Sequence, residues 1–154
     1  MGRRRSSCRK SGYTLAELMM VCAIIIVLAA MVVPTARHTL LRHKEMELKY
    51  DLRLMRSAID EYKKAYDMYH FMIPAESEGY PPTLDELVKG VEVNNKKLKF
   101  IRRIPFDPMS GKAEWGQRSL QDDFDSTSWG GQNIYDVYSL SEGIALDGSK
   151  YSDW

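Results

Sequence analysis

Only two of the 154 residues are cysteines, Cys8 and Cys22. No disulfide can close within the chain beyond residue 22. A small domain there has to be held by its apolar core, by a metal or by neighbours in an assembly. Histidine is equally sparse, and His38, His43 and His70 have no partner at metal-ligand spacing, which argues against zinc. A glycine-rich phosphate loop, a Gly-x-Ser-x-Gly elbow and a Cys/His pairing beyond residue 22 are all missing, so nothing argues for an enzyme. The densest acidic run, Asp122-Asp123-Phe124-Asp125, lacks the glycine and distal glutamate of an EF-hand loop and reads as a solvated loop.

A large charge of one sign is also absent, since 22 basic residues face 21 acidic ones. The near-neutral total conceals a segregation. Arg3, Arg4, Arg5, Arg9 and Lys10 fall within the first twelve residues with no acid among them. With those five removed from the 22, 17 basic residues face 21 acidic ones, a net charge of −4. That balance argues against nucleic acid as a partner for the body of the protein. The basic leader reads as a topology signal, holding the N-terminus in the cytoplasm and sending the rest across a membrane.

What the sequence does have is one long apolar run. Residues 13–33 carry a single charge, Glu17, and as a helix they extend about 31 Å, enough to span a bilayer core. A carboxylate within such a segment costs roughly 2.5–3.5 kcal/mol on insertion scales, so an acid there is expected to be functional or paired. The alternative for Glu17 is an acid at the membrane surface that favours a helix N-terminus, worth about 0.3–1 kcal/mol.

Apolar periodicity continues beyond the run. Leu48, Leu52, Met55, Ile59, Tyr62, Tyr66 and Tyr69 recur at alternating spacings of four and three, while Arg42, Lys44, Glu47, Asp51, Arg53 and Lys63 fill other faces. This predicts an amphipathic helix over residues 34–72, which Pro34 would kink without ending. Thr83-Leu84-Asp85-Glu86 fits a capping box opening a short helix to about Lys89, closed by Gly90. Ser110-Gly111 reads as a turn, and residues 112–117 and 134–140 read as strands separated by a polar loop. The expected organisation is a leader over 1–12, an apolar helix over 13–33, its amphipathic continuation over 34–73 and a globular region over 74–154. The fold class is α+β, a long N-terminal helix packed on a small antiparallel sheet with a C-terminal loop.

Gly12 after a basic leader, Glu17 five residues on, the apolar run and Pro34 together resemble the N-terminal region of type IV prepilins and type II secretion pseudopilins. The resemblance implies that a membrane-embedded prepilin peptidase cuts between Gly12 and Tyr13 and methylates the new amine of Tyr13. Tyr13 stands where that family usually has phenylalanine. The resemblance also implies that Glu17 meets the free N-terminal amine of an adjacent subunit during filament assembly. Thr14 sits beside the new terminus and Pro34 matches the family's helix-kinking proline. A buried charge pair is tolerable where a lone buried charge is not.

The remainder resembles the major, G-type pseudopilin family in four places. These are Tyr80-Pro81-Pro82-Thr83-Leu84-Asp85-Glu86-Leu87, Ile104-Pro105-Phe106-Asp107-Pro108, Asp136-Val137-Tyr138-Ser139-Leu140 and Trp154. A pilin-like fold is thereby implied, as is a structural filament subunit of a type II secretion system, polymerised from the bacterial inner membrane to drive protein export. Its implied partners are further copies of itself, other pseudopilins or minor pilins, the prepilin peptidase, an inner-membrane platform protein and an assembly ATPase. It would cross the inner membrane once, with the C-terminal domain periplasmic. Calcium (Ca2+) is implied in the tail, with Asp147, Asp153 and Glu142 as candidate ligands beside the hydroxyls of Ser139, Ser141 and Ser149, since calcium takes six to eight oxygens. The alternative there is a turn at Asp147-Gly148 and a surface acid at Asp153. Two rival functions share parts of this pattern. One is a type IV pilus subunit for adhesion, motility or DNA uptake. The other is a membrane-anchored binding domain cut by ordinary signal peptidase near Ala29-Ala30 or Ala36.

Overall fold

A computed structural model of the chain describes residues 12–123 and 126–154, and within residues 31–37 the backbone only. The expected leader, apart from Gly12, and the side chain of Pro34 therefore lie outside the described residues. The described residues fall into two units, divided between Leu40 and Leu41. A single helix, α1 (Leu15–Tyr69), contributes to both.

In the first unit α1 exposes apolar side chains on every face, among them Leu18, Met19, Met20, Val21, Ile24, Ile25 and Leu28. Among the described residues, no helix is long and apolar enough to cross a membrane. The span expected over 13–33 runs into residues 31–37, and the uninterrupted apolar stretch before them, residues 18–30, reaches only about 20 Å.

In the second unit α1 becomes one-sided, as its periodicity requires. Leu48, Leu52, Met55, Ala58, Ile59 and Tyr62 are buried against Leu84, Leu87, Ile101, Trp115, Ile134, Val137, Ala145 and Tyr151. Each large side chain in such a core contributes about 1.5–3 kcal/mol relative to exposure. The stripe fades at its end, with Tyr66 half-buried and Tyr69 exposed. The helix stops three residues short of the expected Met72, because His70 turns left-handed (φ 49°) while its N–H still bonds the Tyr66 carbonyl. Phe71 and Ile73 then fold back onto the core.

The short helix appears as α2 (Leu84–Lys89), closed at Gly90 with φ 76°. Its expected capping box does not form. Thr83 occupies the N-cap in extended conformation, yet its side chain makes no capping bond, and the Glu86 N–H bonds the Thr83 carbonyl instead.

Strand pairing is sparser than expected. β1 (Val91–Val93) and β2 (Lys96–Leu98) form one antiparallel ribbon, and β3 (Gly116–Arg118) and β4 (Asp136–Tyr138) form another. The strands expected over 112–117 and 134–140 shrink to these three-residue pairs, and the first ribbon was not expected at all. Its two-residue turn, Asn94-Asn95, has both residues at positive φ, as the right-handed twist of the flanking strands favours. In the second ribbon Gly116 lies opposite Tyr138, whose ring covers it so closely that no Cβ could fit there.

Proline-locked residues 104–108 are secured from within. Asp107 is fully buried, accepting bonds from the Met109 N–H (2.7 Å) and the Ser139 hydroxyl (2.6 Å). The expected turn at Ser110-Gly111 is present, with Gly111 at φ 71°. In the polar loop Asp122 accepts the N–H groups of Ser119 and Gly130, which holds its carboxyl below the usual range. Phe124 and Asp125, the rest of that acidic run, lie outside the described residues.

Candidate functional site

Three neighbourhoods carry the chemistry. At the N-terminus the peptide of Gly12 and Tyr13 precedes the helix, and Tyr13 is 84% exposed. Thr14 caps α1, its hydroxyl oxygen accepting the Glu17 N–H (3.2 Å) and its carbonyl the Leu18 N–H (3.1 Å). Thr14 therefore orients the first turn, from which Glu17 projects. Among the described residues the Glu17 carboxylate has no hydrogen bond and no salt bridge, and it stands at the head of an apolar helix whose surface is uncovered. Gly12, Tyr13, Thr14 and Glu17 thus fall together in one short stretch.

The tail forms the second neighbourhood. Residues 141–154 are turned back by an isolated bridge between Ile144 and Lys150 around Asp147-Gly148, the turn expected as the alternative to a calcium site, with Gly148 at φ 88°. A single helical turn follows, Tyr151–Asp153. Three side chains of α1, spaced four and seven residues apart, grip this segment. Glu45 accepts the Leu146 N–H (2.8 Å) and the Tyr151 hydroxyl (3.1 Å). Lys49 places its ammonium 3.9 Å from the Trp154 ring centre. Arg56 donates to Asp136 (2.6 Å), to the Val137 carbonyl and to the Trp154 carbonyl (2.7 Å). Burial first, then Glu45, pushes the Tyr151 phenol up.

The carboxylates expected to hold calcium do not converge here. Among the described residues no group of three or more His, Cys, Asp or Glu side chains is placed to hold a metal ion. Asp147 is engaged by the hydroxyl (2.6 Å) and N–H (2.9 Å) of Ser149, which lower its pKa. The Ser149 oxygen in turn accepts from the Trp154 indole (2.6 Å), and Asp153 accepts from Ser152. One oxygen each of Asp147 and Asp153 is thus bonded within the tail, and Asp147, Asp153 and Glu142 as placed do not form the converging set that calcium takes. Removing calcium with a chelator is accordingly expected to leave the unfolding temperature of the full chain in micelles unchanged. A fall of several degrees on chelation, reversed by added calcium, would contradict this.

The third neighbourhood escaped the sequence reading. A groove of about 510 Å³ is lined by residues of α1, Glu47, Tyr50, Asp51 and Leu54, and by residues 100–103, 105 and 106. Asp51 is only 8% exposed, and its carboxyl has no hydrogen bond or salt bridge among the described residues. Burial, then the charges of Glu47 and Asp107, raise its pKa from the ordinary 3.8. Folding therefore takes up a proton just above pH 3.8, and Asp51 subtracts stability as pH rises through its folded-state pKa. The sequence did hold a signal for it: Asp51 lies three residues after Leu48 and four before Met55, on the edge of the apolar stripe.

Comparison with known proteins bears on the first neighbourhood and on the chain as a whole. A family model for the prokaryotic N-terminal methylation motif matches residues 7–33. The type II secretion system core protein G of Escherichia coli (strain K12) is 30% identical over 140 residues, covering 88% of this chain and 83% of that protein. The chain belongs to the type II secretion system core protein G family, the major pseudopilins. The core protein G of Pseudomonas aeruginosa is 29% identical over 137 residues (86% of this chain, 83% of that one), and that of Vibrio cholerae is 25% identical over 150 (95% and 92%). No solved structure matches the chain. For a core protein G relative, the long helix leading into a small α+β domain with antiparallel ribbons is consistent with a pilin-like fold. The motif match encloses Gly12, Tyr13, Thr14 and Glu17.

Proposed function

We propose that this major pseudopilin is a filament subunit that is cut between Gly12 and Tyr13 by prepilin peptidase, methylated on the Tyr13 amine and drawn from the inner membrane into a secretion pseudopilus. Residues 13–33 would lie in the bilayer before assembly, with residues 74–154 in the periplasm. The observation that carries the reading is the first turn of α1. Thr14 caps it, Glu17 has no partner among the described residues, and the apolar surface beyond is uncovered. A helix of that kind is stable in lipid or among copies of itself, not in water. The acid fits as the counter-ion of a neighbouring subunit's amine, because two charges that neutralise each other escape the penalty each would incur alone. Pro34 would supply a local break in the helix where subunits bend past one another. Self-association, the other pseudopilins, the platform protein and the assembly ATPase are the partners this implies. The subunit itself performs no covalent chemistry.

N-terminal sequencing and intact mass of the protein from its native membrane test the reading. The expected chain starts at Tyr13, with one added methyl. A start beyond Ala30, or an intact Met1, would overturn both the cleavage and the filament role.

A further inference from the structure

The groove beside α1 contains a buried carboxylate, Asp51, that makes no salt bridge among the described residues. Its lining includes Asp51, nearly buried, Tyr50 (61% exposed) and Phe106 (68% exposed), with Arg102 and Arg103 exposed beside them. A desolvated acid without a partner is costly to ionise, and a basic group entering the groove would offset that cost. Elsewhere on the same domain the β1–β2 ribbon presents the complement. In its register Glu92 pairs with Lys97, so the two project from one face of the ribbon, and both are exposed. That face carries one cation suited to Asp51 and one anion suited to Arg102 or Arg103. Among the described residues the side chains of Glu92 and Lys97 have no hydrogen bond and no salt bridge.

We propose that the Asp51 groove receives the β1–β2 ribbon of a second copy of this chain, with Lys97 entering as the counter-ion of Asp51 and Glu92 meeting the arginines. The inference rests on the filament-subunit reading. Groove and ribbon are different patches of one molecule, so the contact is heterologous. Each copy that fills a groove leaves its own groove open for the next, and the contact propagates into an open helical polymer instead of closing as a dimer. Tyr50 and Phe106 provide burial and the charges fix register.

Cysteine cross-linking in the full chain tests this, in a Cys8→Ser, Cys22→Ala background, with Phe106→Cys in the groove lining and Lys96→Cys on the ribbon, which leaves Asp51 and Lys97 in place. Both positions are exposed, so neither change threatens the core. With both cysteines in each chain, oxidation of pelleted filaments is expected to give a ladder of dimers, trimers and higher species, and neither single variant is expected to give it. In parallel, Asp51→Asn and Lys97→Glu should each lower filament yield about tenfold or more while the N-terminus is still processed. A dimer from Phe106→Cys alone would show groove against groove and overturn the proposal. So would filaments that pellet normally but never cross-link, or an unchanged yield from Asp51→Asn. If the parent chain is processed but never pellets as filaments, the filament reading fails, and this proposal with it.

Discussion

Glu17→Ala is expected to leave cleavage before Tyr13 intact and to lower incorporation of the subunit into filaments by two orders of magnitude or more. The size of the effect separates two roles for the acid. Were Glu17 only a favourable charge at the first turn of α1, its loss would cost about 0.3–1 kcal/mol, a change of a few-fold at most. As the counter-ion of a neighbour's amine, its removal strands an ammonium in an apolar bundle, and breaking such a buried pair costs about 3–5 kcal/mol. Each 1.4 kcal/mol is a factor of ten. Glu17→Gln keeps the shape and hydrogen-bonding capacity without the charge, and it should fail nearly as badly. The measurement is filament yield from a strain carrying only the variant, alongside the intact mass of the membrane form. Wild-type yield from either variant would sink the pairing.

Tyr62→Ala should remove about 3–5 kcal/mol from the stability of the second unit. Tyr62 is 1% exposed on the inner face of α1. Its ring packs edge-on against Phe71 at 5.4 Å and tilted against Phe100 at 5.2 Å. It thus joins three segments: α1, the turn-back after His70, and the irregular segment that follows β2. Aromatic pairs of this kind add about 0.5–1.5 kcal/mol beyond area burial. A small domain has only about 5–15 kcal/mol of net stability, so the loss would leave it close to unfolding. The hydroxyl has a different role. Burial, then Glu86, pushes the phenol up to about 12, and among the described residues the oxygen has no hydrogen-bond partner. Tyr62→Phe is therefore expected to be close to neutral. Urea unfolding of the full chain in micelles checks both variants, and equal midpoints for Tyr62→Ala and the parent would contradict the central place given to this ring.

The parts of the fold that were legible in the sequence are those where a single element carries its own pattern. Leu48, Leu52, Met55, Ile59 and Tyr62 announce the buried face of α1 because helical periodicity is local, and Gly90 announces the end of α2 for the same reason. The β1–β2 ribbon was missed because Lys96, Lys97 and Leu98 are all exposed, so no inward alternation marks β2. Its only local signature was Asn94-Asn95. The strands over 112–117 and 134–140 were drawn too long because hydrophobic alternation extends beyond the residues that find a hydrogen-bonded partner. At the candidate sites the contrast is similar. Gly12, Tyr13, Thr14 and Glu17 are neighbours in sequence, so their association is visible without a structure. Asp51 and Phe106 face one groove across 55 positions, and Glu45 meets Tyr151 across 106, which no spacing rule discloses. Calcium in the tail was implied by the family resemblance, and the hydrogen bonding of its oxygens is not legible from sequence: Ser149 donates to Asp147 and accepts from Trp154.

The same packing gives the molecule a built-in optical gauge. Trp154 sits with an ammonium over its ring, a tyrosine ring 5.2 Å away and its indole N–H bonded to Ser149. Indole emission responds to nearby charge and to water. Release of residues 141–154 from α1 would strip Trp154 of all three neighbours at once and shift its emission to longer wavelength. The fluorescence difference between the parent chain and Trp154→Phe then reports whether the tail is docked, and it can be followed inside an assembling filament without attaching a dye.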